Sequence, residues 1–133
     1  MKPATTDAIV LAGRVLLAVL FIGSGLGKAG AYQATAQYMA ASGVPAVSAL
    51  LPLTILVEVG AGLLLALGYK ARWAALVLFL FLIPVTLVFH AFWGLDPQAA
   101  QMQQMHFMKN VAIMGGMLVV LALGPGRWSL ERG

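Results

Sequence analysis

Residues 46–93 read AVSALLPLTILVEVGAGLLLALGYKARWAALVLFLFLIPVTLVFHAFW. Two apolar runs, 46–67 and 72–93, each match the ~20 residues a helix needs to cross the hydrocarbon core of a bilayer. Only the few residues of the "GYKARW" turn join them, so the two spans must form an antiparallel hairpin. Pro84 lies inside the second run and is expected to kink it, which neighbouring helices in a bundle can accommodate.

Working outward, the stretches 8–27 and 106–124 have the same character, making four spans. Of the 133 residues 62% are hydrophobic and 9% charged; so small a chain has too little interior to hide that apolar surface from water. Lipid must be its main solvent. The fold class is therefore all-α: one multi-pass transmembrane four-helix bundle over 1–133, with the lipid bilayer as its first partner. The formal charge of +4 comes from Lys and Arg scattered singly, without the basic stripe of a nucleic-acid surface. Cysteine is absent, which excludes disulfides, thiolate chemistry and Cys-ligated clusters. Any redox role must use a bound cofactor.

The first span carries a small-x-small pattern, Ala29-Gly30-Ala31, at its end, as a cleaved secretory signal would. Arg14 interrupts the run and the stretch is too long for a signal h-region, so all four spans are expected to be kept. Lys2, Lys70, Arg72, Arg127 and Arg132 flank one side of the spans, whereas only Lys28 and Lys109 lie towards the other. The positive-inside rule then puts both termini and the 68–72 turn in the cytoplasm, with loops 29–45 and 94–105 outside.

Ionisable residues within spans cost roughly 2.5 to 3.5 kcal/mol on insertion scales and usually face a bundle interior. Here they are Arg14, Lys28, Glu58, His90, His106 and Lys109. Counted at ~1.5 Å per residue from the cytoplasmic ends, Arg14 and Glu58 fall at similar depth and are expected to form an ion pair. That pair would either fix helix packing or present a proton-linked carboxylate; the third possibility is that the two do not touch. Towards the outer side Lys28, His90, His106, Lys109 and Asn110 gather from three helices. In "HFMKN" the spacing i, i+3, i+4 puts His106, Lys109 and Asn110 on one helix face. Ser24 on the first span, Thr54 before Glu58 and Thr86 before His90 extend these polar faces. Two histidines with neither a third nor a nearby carboxylate make no metal site, and Asp96 belongs to a loop, so no metal is expected. Trp73, Trp93 and Trp128 near span ends read as interfacial anchors.

Taken together, "GRVLLAVLFIGSGLGKAGAY" with "QYMAASGVP", Glu58 followed by "GAGLLLALGYKARWAAL", His90 in "HAFW", and "HFMKNVAIMGGMLVVLALGPGRWSL" resemble the DoxX family of small four-helix bacterial inner-membrane proteins. The resemblance covers nearly the whole chain. That family includes the large membrane subunit of an archaeal thiosulfate:quinone oxidoreductase, and its members are associated with redox complexes. The resemblance implies recurrent polar positions at Arg14, Lys28, Glu58, His90, Lys109 and Asn110, the residues that burial cost singles out.

The expected function is a membrane subunit of a redox complex, a quinone-linked oxidoreductase that binds a quinone or a small anion in an outward-opening polar interior. Lys28, His90, His106, Lys109 and Asn110 would bind the ligand, beside Phe92, Phe107 and Met105. Glu58 and His90 would handle protons. A redox partner protein or a homo-oligomer would complete the assembly. The alternatives are a non-catalytic assembly or anchor subunit, with polar residues as interhelical glue, and a small-solute transporter acting as an oligomer.

Overall fold

The computed structural model describes residues 1–131; Arg132, counted above among the cytoplasmic cations, lies outside the described residues. Five helices follow one another: α1 Pro3–Gly30, α2 Tyr32–Ala41, α3 Val47–Leu67, α4 Ala71–Phe89 and α5 Pro97–Leu123. Four of them, α1, α3, α4 and α5, are long and apolar enough to cross a membrane. The all-helical, four-span reading is borne out.

The hairpin turn between α3 and α4 has a specific chemistry. Gly68 adopts a left-handed φ of 70° as the residue after α3, its N–H donates to the Leu65 carbonyl, and the Tyr69 N–H donates to that of Leu64. These bonds satisfy the last free carbonyls of the helix, as a Schellman ending does. Lys70 then takes a left-handed φ of 49°, and α4 starts at once.

Helices in lipid gain little from burying apolar surface against one another, so close packing must hold them. Small residues provide it. A methyl placed on Gly25 would sit 2.6 Å from Val59 Cγ2, and one on Gly62 would sit 2.8 Å from Ile22 Cγ1, so α1 and α3 cross almost backbone to backbone. These two contacts fix an antiparallel register, Gly25 against Glu58–Val59 and Gly62 against Ala18–Ile22. The core continues through Ala61 and Leu65 on α3 and Ala71, Ala74, Ala75, Leu78 and Leu82 on α4. α5 packs chiefly along α4 and contributes Met117 as its one fully buried side chain. Leu16, Leu56 and Trp73 are among the large apolar side chains left exposed, a surface suited to lipid.

The element bounds differ from the expectation in four places. α1 runs Pro3–Gly30 rather than 8–27, with Pro3 at its start. The 29–45 connection contains the ten-residue helix α2. α4 stops at Phe89 rather than 93, with His90 as its C-cap. α5 begins at Pro97, not 106, because Asp96 caps it: the carboxylate accepts from the Ala99 N–H at 2.8 Å. Hydropathy reports where a chain is apolar, whereas a helix continues into polar surroundings for as long as its backbone bonds and caps allow. "HFMKN" thus lies well inside α5.

Candidate functional site

Arg14 and Glu58 do not pair, which corrects the expected ion pair. The α1–α3 register puts Arg14 beside Ala66, eight residues and so about 12 Å along α3 from Glu58. There the guanidinium donates to the carbonyls of Ala66 at 3.3 Å and Trp128 at 2.9 Å, and to that of Pro125. Residues 124–131 fold back under the bundle to present the carbonyls of Pro125 and Trp128. They are held by Leu130 N–H to the Leu67 carbonyl at 3.0 Å, Glu131 N–H to that of Gly68 at 3.1 Å, and Lys70 N–H to Glu131 Oε2 at 3.0 Å. Arg14 is a structural centre at the terminal end.

Glu58 instead meets Lys28. Lys28 Nζ lies 2.8 Å from Glu58 Oε1 and donates to Ser24 Oγ at 2.6 Å. Its flexible four-carbon stem reaches across from the last turn of α1. Glu58 is 4% exposed, yet Oε1 receives no bond of hydrogen-bonding geometry. The carboxylate's charge is compensated while part of its acceptor capacity stays unused.

That carboxylate faces a cavity of about 300 Å³ to which all the helices contribute. α1 lends Phe21, Ser24 and Lys28, and α2 lends Thr35, Tyr38 and Met39; Thr54 and Glu58 come from α3, and Phe81, Leu82 and Phe89 from α4. His90, just past α4, and Asn110, on α5, complete the wall. Asn110 Nδ2 donates to Thr86 Oγ1 at 3.1 Å, which joins α5 to α4 and fixes the amide. Tyr38 stacks on Phe89 with ring centroids 5.6 Å apart, so α2 is tied to α4 across the same end. The volume is at the lower limit of the ~300 to 1,000 Å³ of small-molecule sites, and its aromatic walls with few polar groups match their usual make-up.

The structure therefore brings together Lys28, Glu58, His90 and Asn110 and separates the other two. His106 is exposed outside the cavity, its ring 5.1 Å from that of His90. Lys109 is exposed and absent from the lining, because neighbouring positions on a helix point about 100° apart and Asn110 is the one turned inward. Phe92, Phe107 and Trp93 form an edge-to-face cluster of their own. Tyr38 and Thr35 escaped the sequence reading because α2 did, and Gln103, which pairs with His90 at 3.0 Å, because 94–105 read as a loop. The Asp96-Pro97 pair was the available signal: an N-cap residue followed by Pro at N1.

Known proteins resemble this chain over most of its length. The DoxX family model matches residues 9–91. The chain is 40% identical to inner membrane protein YqjF of Escherichia coli over 126 residues, 95% of this chain and 92% of that one. It is 30% identical to inner membrane protein YphA of Escherichia coli over 129 residues, 97% and 92% of the two chains. A Surfeit locus protein 4 homolog of Schizosaccharomyces pombe is 29% identical over 123 residues, 91% of this chain and 36% of that protein. No solved structure matches the chain.

Proposed function

We propose that this chain, which belongs to the DoxX family, is an inner-membrane subunit of a redox complex that binds the head group of a quinone in the cavity between Lys28–Glu58 and His90–Asn110. One observation carries the reading. A half-open cavity with aromatic walls, set within the helix bundle, has hydrogen-bonding groups on different helices and a buried carboxylate with unused acceptor capacity. A flat, apolar molecule with an oxygen at each end suits such a slot, with Asn110 donating to one carbonyl and Lys28 to the other, and with Glu58 able to accept from a hydroxyl of the reduced form.

Reduction of a bound quinone consumes two electrons and two protons, and in this reading a partner protein delivers the electrons, the chain having no cysteine for thiol or cluster chemistry. Glu58 and His90 are the groups on the wall that can hold a proton beside the ligand. The small-anion reading is weakened by the same geometry: Glu58 already balances Lys28, and Lys109 is outside. With both termini cytoplasmic, as the Lys and Arg distribution favours, the cavity lies in the outer half of the membrane.

The test is ligand-induced stabilisation of the purified protein. A short-chain ubiquinone analogue at ~100 times its dissociation constant should stabilise it by about 2.7 kcal/mol. Asn110→Ala and Glu58→Gln should reduce that shift at equal ligand concentration, and sulfate should produce none. A shift of equal size in Asn110→Ala, or none in the wild type, would overturn the quinone reading.

A further inference from the structure

A second group of side chains lies at the mouth of the cavity, where α5 runs past the end of α4. The contacts Thr86–Asn110 and His90–His106 set Phe89 level with about residue 107, so 97–106 project roughly 15 Å beyond α4. On this overhang the sequence QMQQMHFM places a thioether, Met102, one turn before His106. The two are only about 40° apart around the helix. Both are exposed, and His106 faces His90.

We infer that His90, His106 and Met102 form a binding site for one soft monovalent metal ion of the Cu(I) or Ag(I) class. The spacing of the imidazoles fits. A ring nitrogen bound at ~2.0 to 2.1 Å puts its ring centroid about 3.2 Å from the ion, so two rings on one ion at a near-tetrahedral angle lie about 5 Å apart. The rings of His90 and His106 are 5.1 Å apart, with 31° between their planes. The tautomer fits as well. Gln103 Oε1 only accepts, so the 3.0 Å contact requires His90 Nδ1 to carry the hydrogen. Nε2 keeps its lone pair, with Gln103 acting as the outer partner that metal-bound imidazoles commonly have.

The choice of ion follows from the remaining donors. Among the described residues no three His, Cys, Asp or Glu side chains gather around a common point, and Asp96 is engaged as the cap of α5. Zinc and harder divalent ions thus lack the extra imidazole or carboxylate they need, whereas a thioether selects soft ions. Lys109, about 60° around α5 from His106, penalises a divalent ion more than a monovalent one. Carboxylates and histidines alone do not complete a metal site here; the thioether supplies the third donor.

The experiment is an anaerobic competition between the detergent-solubilised full chain and bicinchoninate for Cu(I), with excess ascorbate. One equivalent of Cu(I) should leave the indicator for the protein. His106→Ala and Met102→Leu should each weaken binding tenfold or more, while Met108→Leu, about 160° around the helix from His106, should leave it unchanged. His106→Phe keeps a ring against His90 and repeats the test should the alanine variant fail to fold. Unchanged affinity in Met102→Leu and His106→Phe would overturn the site. Equal losses in Met108→Leu and Met102→Leu would overturn it too, as diffuse thioether binding, and so would displacement of Cu(I) by equimolar Zn(II).

Discussion

The two ends of the bundle handle buried charge in opposite ways. At the terminal end Arg14, 3% exposed, is surrounded by the carbonyls of Ala66, Pro125 and Trp128. Among the described residues no carboxylate pairs with it, its Nε stays without an acceptor, and the strap 124–131 lies across the group. At the other end Glu58 is about as buried, but its partner Lys28 is partly exposed, and a cavity with Ser24, Thr54, His90 and Asn110 opens beside them. A charge enclosed by backbone acceptors holds a fold together. A compensated pair beside open space is arranged to meet something else.

The most severe way to break this contrast is at Arg14. Hydrogen bonds to a charged group contribute about 1.5 to 3 kcal/mol each, so Arg14→Met, which leaves three carbonyls without their donor, should destabilise the protein by at least ~3 kcal/mol in thermal melting. Arg14→Lys should recover only part, because an ammonium lacks the planar fork that reaches several acceptors. A near-neutral Arg14→Met would mean that the strap holds without its central donor.

A smaller effect sharpens the contrast through coupling. Lys28→Met and Glu58→Gln should be non-additive, with an interaction energy of about 1 to 3 kcal/mol, whereas Arg14→Met and Glu58→Gln should add to within about 0.5 kcal/mol. Double-mutant cycles measured by melting decide it. The opposite ranking would restore the Arg14–Glu58 pair that depth counting favours.

Lys109 should show the smallest effect. Exposed on α5 and away from the cavity, it should tolerate Lys109→Met with a stability change within ~0.5 kcal/mol and an unaltered shift with the quinone analogue. A lost shift would move the ligand out of the cavity and onto the outer face of α5.

The four spans were legible in the sequence because apolar composition alone reports them. The contents of the site were largely legible too, since the insertion cost of a charge marks Lys28, Glu58 and His90 without any knowledge of packing. Pairing was not legible. Depth counted from apolar boundaries assumes that helices begin level, whereas the close approaches at Gly25 and Gly62 set the actual register and carry Arg14 past Glu58 to Ala66. Helix faces misled in a related way: i, i+3, i+4 defines an arc about 100° wide, and only its Asn110 edge turns inward. Those are properties of contacts between helices, which no single span encodes.

The strap beneath Arg14 also has a consequence in time. Its acceptors at Pro125 and Trp128 lie 111 and 114 residues downstream. At ~5 to 20 residues per second of synthesis, the first span waits roughly 5 to 20 s before they emerge. Throughout that interval Arg14 sits in a nascent helix with at most the Ala66 carbonyl available, so its docking can only be a late event of biogenesis. A guanidinium without its full set of acceptors then distinguishes chains still in assembly from those that have closed.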